Sequence, residues 1–278
     1  MNSRSEYVLQ WWYCNHKWVM LSQWKIINDT VVCPFHGYAY WIDGICDRKI
    51  ASLRTYTVMM YLWIIWYYHG NWTPIYHPQD HVKEILWDKN PSDFISIDVF
   101  DETYHLPTSL LLSNFYDIGH FKYFHWVQIE TTNIRNLSDS FTYEAQGIYT
   151  HFKFFQKTFF KFFPNIVKNI ISYKNNFTVA HHVLLTKKWN VVFEYYGIYP
   201  CSPIDDTRTR IVSSILVKKW FIAYIAQFFS RFLLSKAGNS EYTMLLWANH
   251  KILQLTNEDE ILKNFLEFYK KEHDTVSF

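Results

Sequence analysis

The chain has 278 residues, 49% of them hydrophobic and 19% charged, with a formal net charge of +2. This composition excludes a disordered chain, and the length fits two modest domains or one large one. So small a net charge gives no reason to expect a nucleic-acid partner, and four cysteines in a chain this long are not a disulfide framework.

Tyr7–Tyr13 reads as a short strand that delivers Cys14-Asn15-His16. Sixteen residues later comes Cys33-Pro34-Phe35-His36-Gly37-Tyr38, with Val31-Val32 leading in and Tyr38–Ile42 leaving as another strand through an Asp43-Gly44 turn. A C-x-H pair and a C-x-x-H pair on two neighbouring loops supply two thiolates and two imidazoles. That is the ligand set of a Rieske [2Fe–2S] centre, with Cys on one iron and His on the other. Zinc uses Cys₂His₂ as well, although its pairs usually join Cys with Cys and His with His, and here each pair is mixed. Either metal requires reduced thiols. Cys46 and Cys201 are left over.

Tyr56–Tyr68 is an apolar, β-branched and aromatic run fitting one or two buried strands. Asn71–Gln79, with Pro74 and Pro78, reads as a linker. Beyond it, Glu84–Trp87, Ile95–Phe100 and the alternating Phe121–Thr131 read as strands, and Ile134–Phe163 as helical at first and then loop. Val179–Leu185 and Trp189–Tyr196 form a hairpin around Lys187-Lys188, and Thr209–Val217 is a further strand. Leu216–Leu234, Tyr242–Leu253 and Glu258–Glu272 read as helices. No stretch reaches the ~20 apolar residues of a membrane span, and Trp220–Ser235 reads as a buried or interfacial helix. Met1–Ser5 is polar and the first candidate ligand stands at position 14, so no cleavable targeting sequence is expected. The aromatic share of 21% fits an aromatic-rich core or interface, and with the many Ile, Asn and Lys it also fits an AT-rich, organellar (mitochondrial) coding sequence.

Lys17, the run Cys33–Tyr38, Tyr40 and Asp43-Gly44 together resemble the cluster-binding loops of Rieske-type non-haem iron oxygenases. Pro203-Ile204-Asp205-Asp206, Trp247–Lys251 and Phe265–Tyr269 are similar to that family's second domain, in the flavour of its steroid hydroxylase and cholesterol desaturase branch. The resemblance implies an α+β fold. Residues 1–75 would form a Rieske β-sandwich, apparently shortened, and 76–278 a helix-grip domain with an antiparallel sheet and C-terminal helices. It implies a [2Fe–2S] cluster on Cys14, His16, Cys33 and His36. Only thirteen residues precede Cys14, so a partner chain completing the sheet is expected, in a larger complex or a homo-oligomer with an electron donor.

The family also holds a mononuclear iron through D-x-x-H-x-x-x-x-H and a late carboxylate. The resemblance sets Asp139 on the bridging aspartate of that motif, and Thr142 and Gly147 where its histidines belong. Thr243 then stands where the carboxylate belongs. On this placement the mononuclear iron is absent, and substitutes would have to come from Glu144, His151, Glu241 or His181-His182. The expected function is an electron-transfer or structural subunit carrying a Rieske cluster. The alternative is a hydroxylase or desaturase acting on a hydrophobic ring substrate such as a sterol.

Overall fold

Three two-residue turns reverse the chain with both central residues in the left-handed region. They are Asn28–Asp29 (φ 48° and 60°), Leu62–Trp63 (55° and 64°) and Asn175–Asn176 (51° and 58°), the primed geometry whose twist matches a hairpin. Asn and Asp adopt it readily, whereas Leu and Trp seldom do. The reversal at Leu62–Trp63 therefore carries no sequence mark, and the run 56–68 is a hairpin that reads as one continuous apolar stretch.

The computed structural model describes residues 7–21, 25–48, 50–68, 76–86, 89–137, 139–149, 166–186, 188–219, 242–246, 255–256 and 259–274. The chain divides into two compact units, Met1–His77 and Pro78–Phe278. The first holds β1 (Leu9–Gln10), β2 (Lys25–Ile27), β3 (Thr30–Val32), β4 (Ala39–Tyr40), β5 (Thr55–Tyr61) and β6 (Ile64–Tyr68). They form two three-stranded antiparallel sheets, ordered β1-β5-β6 and β2-β3-β4. Cys14, Leu21, Cys33, Tyr40, Cys46 and Leu53 are its buried core, so both candidate ligand thiols belong to what holds the unit together.

Gly44 closes this unit's second loop at φ +84°, and a Cβ there would stand 2.1 Å from the Leu53 carbonyl oxygen. The Leu53 N–H donates to the Gly44 carbonyl at 2.8 Å, so the two backbones cannot part without losing that bond. Gly44→Ala is expected to destabilise the first unit by at least about 2 kcal/mol, because left-handed strain and a backbone clash add. An unchanged thermal unfolding midpoint would contradict this.

The second unit begins with α1 (Pro78–Leu86), then β7 (Phe94–Tyr104), α2 (Thr108–Ser113), α3 (Phe121–Phe124), β8 (Val127–Asn136) and β9 (Phe141–Tyr149). β10 (Ile166–Lys174), β11 (Phe177–Leu185), β12 (Val191–Asp205), β13 (Arg208–Lys218) and α4 (Glu260–Asp274) follow. Its seven strands make one antiparallel sheet ordered β7-β13-β12-β11-β10-β9-β8. Along β9 the buried residues alternate as Phe141, Tyr143, Ala145 and Gly147, which turns one face inward. On that face Leu111 and Leu112 of α2, Tyr116, and Ile261 and Phe265 of α4 pack into the main core, with Tyr116 and Phe265 stacked at 3.9 Å.

Several sequence expectations need correction. Glu84–Trp87 is not a strand: its described part, 84–86, closes α1, where Val82 and Leu86, four apart, are buried together. Phe121–Thr131 alternates, yet its first four residues are a helical turn and the strand starts at Val127. Ile134–Phe163 does not begin as a helix, because Ile134 lies within β8 and β9 pairs with it residue by residue. Leu216–Lys218 belongs to β13 rather than to a helix. α2 and β10 carry no expectation at all. The remainder of 220–241, 247–251 and 150–165, including His151, Glu241 and the Trp247–Lys251 stretch, lies outside the described residues, as do 71–75 of the linker. Among the described residues no helix is long and apolar enough to cross a membrane.

Candidate metal centres

The two ligand loops of the first unit share one backbone design. Cys14 N–H donates to the Val19 carbonyl (2.9 Å) and Trp18 N–H to the Cys14 carbonyl (2.8 Å). Cys33 N–H donates to the Tyr38 carbonyl (2.8 Å) and Gly37 N–H to the Cys33 carbonyl (2.9 Å). Each cysteine thus opens a loop closed five residues on, and the fourth residue on is left-handed in both, Trp18 at φ 54° and Gly37 at φ 71°. The histidines fall inside these loops. Their rings meet with centroids 4.8 Å apart, and Tyr38 lies 4.6 Å from the ring of His16.

Cys14 and Cys33 are each 1% exposed. Burial pushes the Cys14 thiol up, but hydrogen bonds from the Tyr40 hydroxyl (3.3 Å), the backbone of His16 and Lys17, and Cys33 outweigh it, so its pKa is lowered. Such a setting favours the thiolate that binds metal. At Cys46 burial wins and the pKa is raised, which separates a core cysteine from a candidate ligand. His16 Nδ1 is buried with no hydrogen-bond partner, an orphaned atom that an iron would satisfy. A two-iron cluster needs a thiolate pair and an imidazole pair. A single zinc needs all four groups around one point, and among the described residues no three His, Cys, Asp or Glu side chains gather so.

In the second unit the residues set on the mononuclear motif lie elsewhere. Thr142 points to the sheet face away from α2 and the core: its hydroxyl meets Ser172 Oγ at 2.7 Å, which meets His81 Nε2 at 2.9 Å. Gly147 tolerates no side chain, since a Cβ would stand 2.4 Å from the Gln128 carbonyl oxygen. No imidazole fits there on this backbone. Asp139 is not near a helix start: it sits in the β8–β9 turn and accepts from Lys174 Nζ at 2.7 Å. Glu144 pairs with Arg135 at 2.8 Å, and His181 with Glu194 at 2.8 Å. Thr243 lies in a helical segment over 242–246 and offers no carboxylate. Asp139→Ala takes the exposed partner from the buried Lys174, so a loss of about 1–3 kcal/mol is expected, with cluster content unchanged. Loss of the cluster absorption would show a structural role for the residue.

The spacing D-x-x-H-x-x-x-x-H occurs at Asp117-Ile118-Gly119-His120-Phe121-Lys122-Tyr123-Phe124-His125. Here the structure brings the histidines together. α3 separates them by one helical turn, with His120 as its N-cap and His125 as its C-cap. Their Nε2 atoms stand 3.3 Å apart. Asp117 Oδ2 lies 3.5 Å from His120 Nδ1, and Oδ1 accepts from the Gly119 N–H at 3.0 Å. The neighbouring His120 outweighs burial and holds the Asp117 carboxyl below its ordinary range. The contact is an approach rather than a hydrogen bond, since His120 Nδ1 is buried without a hydrogen-bond partner; a carboxylate that closes on this far nitrogen orients the ring and leaves Nε2 to a metal.

The sequence matches no protein-family model and no curated protein. Solved structures do match. Dicamba monooxygenase bound to dicamba superposes with a TM-score of 0.68 at 14% identity, over 95% of this chain and 86% of that one. NdmB of Pseudomonas putida CBB5 gives 0.69 at 14%, over 96% and 79%. An NdmA variant of the same organism, with caffeine, gives 0.69 at 12%, over 98% and 80%. The fold is that of the Rieske-type non-haem iron oxygenases. At these identities the likeness concerns the fold, and the steroid-active branch has no place among the three. Cys14, His16, Cys33 and His36 are the candidates that the sequence reading named, whereas the pair His120 and His125 was not among them. The signal was the plain spacing of the motif, 22 residues before Asp139.

Proposed function

We propose that the chain is a Rieske-type oxygenase, carrying a [2Fe–2S] cluster on Cys14, His16, Cys33 and His36 and a mononuclear iron on His120 and His125. The observation that carries the reading is the 3.3 Å approach of the two imidazole Nε2 atoms within an intact D-x-x-H-x-x-x-x-H motif. The electron-transfer or structural subunit expected from Thr142 and Gly147 loses its ground once the motif is placed on 117–125. The third iron ligand is not among the described residues, and Glu241 is the candidate from the sequence.

Bound iron would supply oxygen activation, fed by electrons through the cluster. The chain's residues do the rest. Cys14 and Cys33, both buried, would hold one iron of the cluster, and His16 and His36 would hold the other and pass electrons from a donor. Asp117 orients His120 and is the bridging aspartate toward the cluster of a neighbouring chain. The apolar inner face, with Val167, Ile171, Ala180 and Leu184, favours a hydrophobic ring substrate. The two-residue edge strand β1 beside the exposed Trp12 supports a partner chain that extends this sheet.

Metal analysis with electron paramagnetic resonance on the purified protein tests the reading. Three irons per chain are expected, two in a Rieske signal that His36→Ala abolishes. Two irons per chain would restore the electron-transfer subunit, and a Rieske spectrum surviving His36→Ala would refute the ligand set.

A further inference from the structure

One polar pair interrupts the apolar inner face of the second unit. Asn169 of β10 and His182 of β11 stand directly opposite each other in register, flanked in the same cross-strand row by Ala145 and Tyr195. His182 Nδ1 and Asn169 Oδ1 are 2.9 Å apart, and the imidazole stacks on Tyr195 at 4.7 Å. The rows on either side are apolar: Tyr143, Ile171 and Ala180 on one, Gly147, Val167 and Leu184 on the other. Ala145, Ala180 and Gly147 are small and buried, so the pair is set among small apolar neighbours.

Its position is tied to the histidine motif. Val167 and Leu184, one pleat away on the same strands and face, pack with Phe121, which lies between His120 and His125. His182 keeps accessible surface while Asn169 is 5% exposed.

The hydrogen-bond inventory of the pair is uneven. An Asn amide and a neutral imidazole bring more donors and acceptors than one mutual bond consumes. Neither side chain makes another hydrogen bond among the described residues. As drawn, Nδ1–H donates to Oδ1, which leaves the Asn169 amide N–H as a donor and His182 Nε2 as an acceptor. With the amide turned over, Asn169 Oδ1 becomes the free acceptor and His182 Nε2–H the free donor. In both cases one donor and one acceptor remain on the pair. Polar groups left so in an apolar floor are costly unless a ligand completes them.

We propose that Asn169 and His182 anchor the substrate of this site, and that they select an uncharged ring compound whose polar group both donates and accepts a hydrogen bond, a hydroxyl or a ring lactam. The inference rests on the oxygenase reading for the placing of the site and adds the class of molecule that enters it. A plain hydrocarbon leaves the pair unpaired. A carboxylate offers acceptors alone and leaves the acceptor of the pair unmet.

The test uses the full chain and three matched probes, 2-naphthol, 2-methylnaphthalene and 2-naphthoate, with binding followed by tryptophan fluorescence. Wild type is expected to bind 2-naphthol at least tenfold more tightly than either of the others. In the double variant Asn169→Leu, His182→Phe that preference should vanish while 2-methylnaphthalene binds as before, and His182→Gln should restore part of it. Equal affinities in wild type, no binding of any probe, or a preference that survives the double variant would each overturn the proposal. Iron content is read on the same samples. Full iron with no preference sinks the anchoring pair alone, and a preference without mononuclear iron sinks the oxygenase reading alone.

Discussion

Replacing His120 by alanine should remove one iron per chain and leave the visible absorption of the cluster untouched. The reason is architectural. His120 and His125 belong to the second unit, which starts at Pro78, and the four cluster ligands belong to the first. Losing one imidazole leaves its partner, 3.3 Å away, as a monodentate hold that does not retain iron. Oxygen-dependent turnover should fall by well over 100-fold, because even outer-sphere changes at metal sites cost about 10–100-fold. Asp117→Asn supplies the contrast. It keeps both ring nitrogens and loses the charge that orients His120, so iron should stay while activity falls within that smaller range. A His120→Ala protein that retains three irons would show that the motif at 117–125 is not the ligand site.

The second large effect is on stability in mild acid. Burial is the main cause holding His81 and His182 to a pKa of about 3, with Lys174 adding at His81 against the opposing Asp139, and His181 and His125 adding at His182. In the unfolded chain both return to the ordinary 6.5. Below pH 6.5 the unfolded state therefore binds protons that the folded state refuses, and stability falls as pH falls. The slope is about 1.4 kcal/mol per pH unit for a fully buried group, so His81, at 0% exposure, loses roughly 2 kcal/mol between pH 6.5 and 4.5, and His182, whose ring keeps accessible surface, adds less than that. Depressed carboxylates such as Asp117 and Asp101 act in the same direction only below about pH 4.5, which leaves the upper window to the histidines. Urea unfolding at pH 7, 6 and 5 should show this loss, and His81→Gln should remove more than half of the slope. A flat profile across that window would mean that both rings reach water.

The cluster loops were legible in sequence because each is a local object. A cysteine, a histidine two or three residues on and a left-handed fourth residue close within six residues, and no distant contact is needed to shape them. The second site was legible too, as the spacing from Asp117 to His125, but the same reading placed it on Asp139. The two histidines at their motif spacing distinguish 117–125 from 139–147, where Thr142 and Gly147 stand instead, but the local pattern does not announce the helical turn that carries them. Phe121, Tyr123 and His125 alternate like a strand, yet they form a helical turn because Phe121 is buried against Val127 and Val167 from β8 and β10. Phe141–Tyr149 has no strong period of its own and becomes a strand because β8 and β10 flank it.

What the sequence by itself determined is therefore the candidate chemistry carried by short loops, the Cys and His pairs, together with the free thiols and the strand-rich second half. Only the tertiary structure decided which histidines meet and what floor lies beneath them. Asn169 and His182 are 13 residues apart and share no motif. They become one site because antiparallel register sets them opposite each other, and register is a property of the whole sheet rather than of any segment in it.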